Sequence, residues 1–125
     1  AEMYSFGPFI PHPNTDLSDY PSATIPEILN LIAVTRIIDP TNAKILITTA
    51  FETIHPNARE DGLMAGANSV MLNVTPENYR HSYEIYPNRA HANENLQEQI
   101  ENTLSLLRSM GRAPTDLGVT ANIRD

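Results

Sequence analysis

Three short apolar runs, Met3–Gly7, Lys44–Ala50 and Ser69–Val74, are each followed by a loop and then by a helix start. This strand–loop–helix alternation constrains the fold more than any other feature of the 125-residue chain. Strands that alternate with helices pair in parallel, through right-handed crossovers. The second run, "KILITTA", is short, apolar and β-branched, as a strand covered on both faces should be. Pro8 cannot donate to a ladder and closes the first strand. The fold class that follows is α/β, with three parallel strands and flanking helices.

The helix starts carry their own signals. In "TIPE", Thr24 is an N-cap, Pro26 lies in the first turn and Glu27 completes a capping box. Ile28, Leu29, Leu31, Ile32, Thr35 and Ile38 form the expected buried face, and Pro40 ends the helix. Phe51–Pro56 reads as a loop. "NARE" offers Asn57 and Glu60 as a second capping box, for a helix that runs to Ala65 and stops at Gly66. "TPEN" predicts a helix over Glu77–Tyr86, capped by Thr75 with Pro76 at its first position. A last helix, over Asn95–Met110, shows Leu96, Ile100, Leu104 and Leu107 at helical spacing. The tail Arg112–Asp125 has no period.

Composition removes several functions. The net charge is −7 and the pI about 4.9, so the basic footprint of a nucleic-acid binder is missing. No apolar run approaches the roughly 20 residues of a membrane-spanning helix. There is no signal-peptide pattern at the start, and the cytoplasm is the expected location. The chain contains no cysteine, which excludes disulfides, thiolate catalysis and sulfur-ligated clusters from its own residues. No P-loop, nucleophile elbow, dinucleotide fingerprint or metal-helix motif is present.

In α/β folds the ligand sits at the carboxyl ends of the strands. Those ends are "GPFIPHPNT", "TTAFETIHP" and "LNVTPENY", and they define the expected site face. His12 and His55 lie on it, whereas no pair among His12, His55, His81 and His91 has metal-ligand spacing. Thr48 and Thr49 end the second strand, and only one of two neighbours in a strand can point inward. Met71 suits a strand core. Tyr79, Tyr83 and Tyr86 fall at i, i+4 and i+7, one stripe if they share a helix. Among the carboxylates, Glu60 serves as a cap and Glu77 suits a helix start, so Glu52 is left as the unassigned acid of the site face.

The segments "GPFIPHPNT", "LIAVTRIIDPTNAKILITTA" and "MAGANSVMLNVTPENYRHSYEIYP" resemble the closing part of radical S-adenosylmethionine (SAM) enzymes of the biotin and thiamin synthesis-associated group. Within that group they are most similar to the branch that matures [FeFe]-hydrogenase. The resemblance implies a partial (β/α)8 TIM-type barrel. Residues 1–88 would supply its last three βα units, and residues 89–125 the C-terminal helix and tail. Strand starts about 42 and about 25 residues apart bracket the roughly 30 residues of a barrel unit.

What the resemblance implies for chemistry is reductive cleavage of SAM on a [4Fe–4S] cluster and attack of a 5′-deoxyadenosyl radical on a small-molecule substrate. The cluster loop CxxxCxxC has no counterpart here. The chain is therefore expected to bind neither the cluster nor SAM on its own, to be inactive in isolation, and to need the N-terminal part of the same barrel as its partner. By the same resemblance Pro8, Phe9 and Ile10 would touch the adenine of SAM. Thr48, Thr49, Met71, Tyr83 and Tyr86 would line the substrate cavity. Leu46 stands where biotin synthase has an arginine, which counts against that activity. The other readings are a biotin synthase or thiamin-biosynthesis relative, or a non-catalytic α/β module that binds a small molecule or a protein and self-associates through its open strand edges.

Overall fold

A computed structural model describes residues 2–83 and 85–115 of the chain. Three parallel strands, β1 (Met3–Ser5), β2 (Lys44–Ile47) and β3 (Ser69–Val70), form one sheet in the order β1-β2-β3. Tyr4 is opposite Ile45 and Ile47 is opposite Val70. Helix α1 (Ile25–Ile38) crosses from β1 to β2, and α2 (Thr49–Ile54) with α3 (Ala58–Ala65) crosses from β2 to β3. A one-turn helix α4 (Glu77–Arg80) and the longer α5 (Leu96–Ser109) follow.

The core forms where α1 and α3 pack side by side against β2. Ile45 and Ile47 are fully buried, and residues two apart in a strand share one face. Ile28 and Ile32 of α1, Phe51 of α2, and Ala58 and Leu63 of α3 close over them. Gly62 lets α3 approach, because a Cβ there would lie 3.0 Å from the Ile47 side chain. Of the expected buried face of α1, Ile28 and Ile32 are buried and Leu29 packs at the margin. Leu31 and Ile38 instead point outward, Ile38 at 78% exposure. A 14-residue helix offers only about a third of its surface to one neighbour layer, so an apolar run wider than that stripe is left uncovered.

The first capping box is as expected. The Thr24 backbone N–H donates to Glu27 Oε2 at 2.7 Å and the Glu27 N–H donates back to Thr24 Oγ1 at 3.4 Å. The bond from the Thr24 N–H, and a second from Thr24 Oγ1 at 2.8 Å, hold the exposed Glu27 carboxyl below its ordinary value. The far end of α1 is fixed by Arg36. Its Nε donates to Gly66 O at 2.9 Å, its Nη1 to Asp39 O and Pro40 O at 3.2 Å each, and its Nη2 to Ala43 O at 2.8 Å. Gly66 ends α3 at φ 122°, a backbone that a side chain would strain.

Several expected elements differ. The strands are shorter than their apolar runs. β2 stops at Ile47 because Thr48 turns its hydroxyl back to accept the Phe51 N–H at 3.2 Å, capping α2 where a loop was expected. Asn57 precedes α3 without a side-chain cap, and Glu60 is exposed, so the second capping box does not form. The Ala58 N–H is satisfied instead by His55 O at 3.0 Å. After Pro76 the helix lasts one turn. Ser82 and Tyr83 donate three residues back, to Tyr79 O and Arg80 O, and these tight turns replace the helical ladder. Asn88 and His91 then adopt positive φ, 56° and 59°. The last helix matches its expected span, with Asn95 and Glu98 forming a capping box. Of the expected irregular tail, residues 116–125 lie outside the described residues.

Candidate functional site

Because all three strands are parallel, the segments that follow them leave on one side of the sheet. Pro8 is buried, Ile10 half-buried, and Phe9 between them is 43% exposed on the rim after β1. The end of β2 touches this segment. A Cβ on Gly7 would lie 3.4 Å from Thr48 Oγ1 and 3.8 Å from Ala50 Cβ. Thr48 and Thr49 are both buried, since they belong to the turn into α2 and not to an extended strand. Met71 follows β3 at 36% exposure, and its N–H donates to Ile47 O at 3.3 Å.

The larger cavity, about 570 Å³, opens beyond β3 and is polar. Its walls include Asn73, Arg80, His81, Tyr83, Tyr86 and Arg89. Tyr83 and Tyr86 thus share a site although they share no helix, and the stripe with Tyr79 does not exist because α4 ends at Arg80. Neither this cavity nor the smaller one described next is lined by Pro8, Phe9, Ile10, Thr48, Thr49 or Met71.

A charged cluster joins the helices that follow β2 to the segment after Tyr86. Glu52, the unassigned acid of the sequence, is 7% exposed at its side chain and meets two cations through one oxygen, Oε2. Arg59 Nε lies 2.8 Å from it, and His91 Nε2 makes a close contact with it. His91 Nδ1 lies 2.9 Å from Glu94 Oε2. A carboxylate at each ring nitrogen favours the protonated imidazole. Its pKa is raised, chiefly by the Glu52 contact and then by Glu94, against opposition from burial and from Arg59.

Arg59 also donates to Thr103 Oγ1 at 2.8 Å, and its Nη2 lies 3.5 Å from Met71 O, so one guanidinium joins α3, α5 and the end of β3. Glu52, Arg59 and His91 of this cluster line the smaller cavity, about 220 Å³, together with Asn57, Glu60 and Asn102. Gln99 completes the polar seam. It is fully buried, its Oε1 accepts from the Asn73 N–H at 2.8 Å, and its Nε2 donates to Glu94 O at 3.2 Å.

The other histidines have local tasks. His12 Nδ1 accepts from the Asn14 N–H at 3.1 Å. His55 Nε2 lies 2.6 Å from Asp61 Oδ2 and its ring tilts against Phe51. Residue spacing singled out Glu52 but missed Arg59, His91, Glu94 and Gln99. The signal that pointed toward them was Glu52 itself, an acid in an apolar segment that needed a cation. Among the described residues no group of three or more His, Asp or Glu side chains could hold a metal ion. With no cysteine in the chain, the thiolates of an iron–sulfur cluster are not among its residues.

A sequential, all-parallel sheet, with crossover helices packed together and site loops gathered at the strand ends, defines a βα-repeat module. The chain belongs to the Biotin and Thiamin Synthesis associated domain family, whose profile matches residues 5–112. It is 38% identical over 113 residues to the [FeFe] hydrogenase maturase subunit HydE of Thermotoga maritima. That alignment takes in 90% of this chain and 32% of the relative, so the chain spans about a third of the length of the curated protein it matches.

Proposed function

We propose that the chain is the closing part of a radical SAM barrel of the hydrogenase-maturase kind, and that it supplies walls of the SAM and substrate pockets. The observation that carries this reading is the strand order β1-β2-β3. Right-handed crossovers between sequential neighbours place every helix on one face, as in a (β/α)8 barrel; half of a doubly wound sheet has the same order, and the family match favours the barrel. The packing of α1 beside α3 agrees with that. The relatedness to HydE adds the reaction class. In this reading residues 1–88 are the last three βα units and residues 89–125 a closing helix and tail, and the free edges of β1 and β3 meet the preceding part of the same barrel.

SAM, when bound, would supply the radical. The residues of this chain bind and position. Pro8, Phe9 and Ile10 would meet the adenine, since Phe9 offers an exposed aromatic face between buried Pro8 and half-buried Ile10. Thr48 and Thr49, Met71, Tyr83 and Tyr86 would shape the substrate cavity and exclude water from it. The cluster would be held by cysteines outside this chain.

The test is made on the intact protein that carries this chain, loaded with its cluster under anaerobic conditions. It should form 5′-deoxyadenosine from SAM. Loss of one base–aromatic contact is worth about 1–3 kcal/mol, so Phe9→Ala should weaken SAM binding roughly tenfold or more. Tyr83→Ala with Tyr86→Ala should lower substrate turnover more than SAM affinity. No 5′-deoxyadenosine, or SAM affinity indifferent to Phe9, would sink the reading.

A further inference from the structure

The segment from Asn88 to Asn93 has two roles. Asn88, Arg89, Ala92 and Asn93 line the larger cavity. The same segment and its continuation are also tied to four helices. The Ala90 N–H donates to Thr53 Oγ1 of α2 at 2.9 Å. His91 meets Glu52 of α2 and lies 3.1 Å from Arg59 Nη2 of α3. Arg80 of α4 donates to Glu94 O, and Gln99 of α5 donates to the same carbonyl at 3.2 Å. Two residues of the segment, Asn88 and His91, hold positive φ, a conformation that persists in non-glycine residues only where surroundings impose it.

We propose that His91 is a positioning residue: its protonated imidazole latches the 88–95 wall of the larger cavity onto α2 and α3, and loss of that proton releases the wall. The charges require it. Glu52, Glu94 and Arg59 face the ring directly, and Glu60 and Arg80 stand nearby on α3 and α4. With His91 charged, two cations answer Glu52 and Glu94. With His91 neutral, Nε2 can accept from Arg59 Nη2 but loses its bond to Glu52 Oε2 to lone-pair repulsion, and the half-buried cluster keeps an uncompensated negative charge. The released wall also relaxes the positive φ at His91. The consequence for a bound molecule rests on the reading of this cavity as part of a substrate pocket, but the latch itself stands on the chain alone.

The latched state holds the proton more tightly than the released one. Latching is therefore complete below the ordinary histidine value of about 6.5 and is lost as pH rises through the raised value, by up to about tenfold per pH unit between the two. Hydrogen exchange of the amides in 88–95, measured on the intact protein and corrected for intrinsic rates, should show that loss of protection above pH 6.5. The amides of β2 serve as the unchanging control. E52Q should move the loss to lower pH, and E94Q should move it in the same direction by less. Glu94 is partly exposed, so E94Q folds and gives a reading even if E52Q does not. Protection of 88–95 that is flat from pH 6 to 9, or a transition that neither variant moves, overturns the latch. The readout needs neither SAM nor substrate, so its failure is distinct from failure of the radical SAM reading.

Discussion

Strand β2 and helix α5 are both anchored by residues with no exposed surface, and the residues are of opposite kinds. In β2 they are Ile45 and Ile47, packed among the side chains of α1 and α3. In α5 it is Gln99, while Leu107 packs only at the margin of the core and Leu96 is exposed. The first half of the chain is thus held by apolar burial, which is non-directional and tolerates small shifts. The second half is attached through Gln99, Arg59, His91 and Glu52, whose bonds are worth something only in one arrangement. A region that walls a cavity gains from that second kind of attachment, since it fixes position as well as proximity.

The sharpest way to break this contrast is at Phe51, which is buried in one core cluster with residues of α1 and α3. Phe51→Ala should cost about 4 kcal/mol, read as a lower midpoint in urea unfolding. Next comes Gln99→Leu. If α5 were held by apolar contacts, this change would be neutral or stabilising. Here it leaves the Asn73 N–H and carbonyl without partners, and a loss of about 2–3 kcal/mol is expected by the same measurement. The smallest effect belongs to Asn95→Ala. Its side chain accepts from the Glu98 N–H at 2.9 Å, and losing that cap should cost about 1 kcal/mol and fray the first turn of α5 in amide exchange. A cost near zero would mean that the seam alone fixes where α5 begins.

The apolar half was the legible half. The capping box at Thr24, the C-terminal Gly66 and the β-branched run of β2 each act within a few residues, so the sequence carries them openly. Thr48 shows the limit. A threonine after "KILI" satisfies strand propensity and helix capping equally, and only the fold decides that its hydroxyl turns to Phe51. Asn57 and Glu60 show the converse, a capping pattern whose backbone angles leave no room for the cap. The polar seam was illegible for another reason. Glu52 and His91 are separated by 39 residues, Arg59 and Thr103 by 44, and no local pattern announces a contact over such distances. Tyr83 and Tyr86 reached one cavity by a route that helical spacing did not describe, a series of tight turns after Arg80.

Arg36 shows what such directional attachment means for the chain as it drifts over generations. One guanidinium serves carbonyls in the connection from α1 to β2 and in the connection from α3 to β3. A lysine offers its donors from a single point and cannot span that set. The two connections therefore share one fastening. An insertion or deletion in either moves a carbonyl out of reach of a side chain that the other still needs, so their lengths are inherited together although they are far apart in the gene.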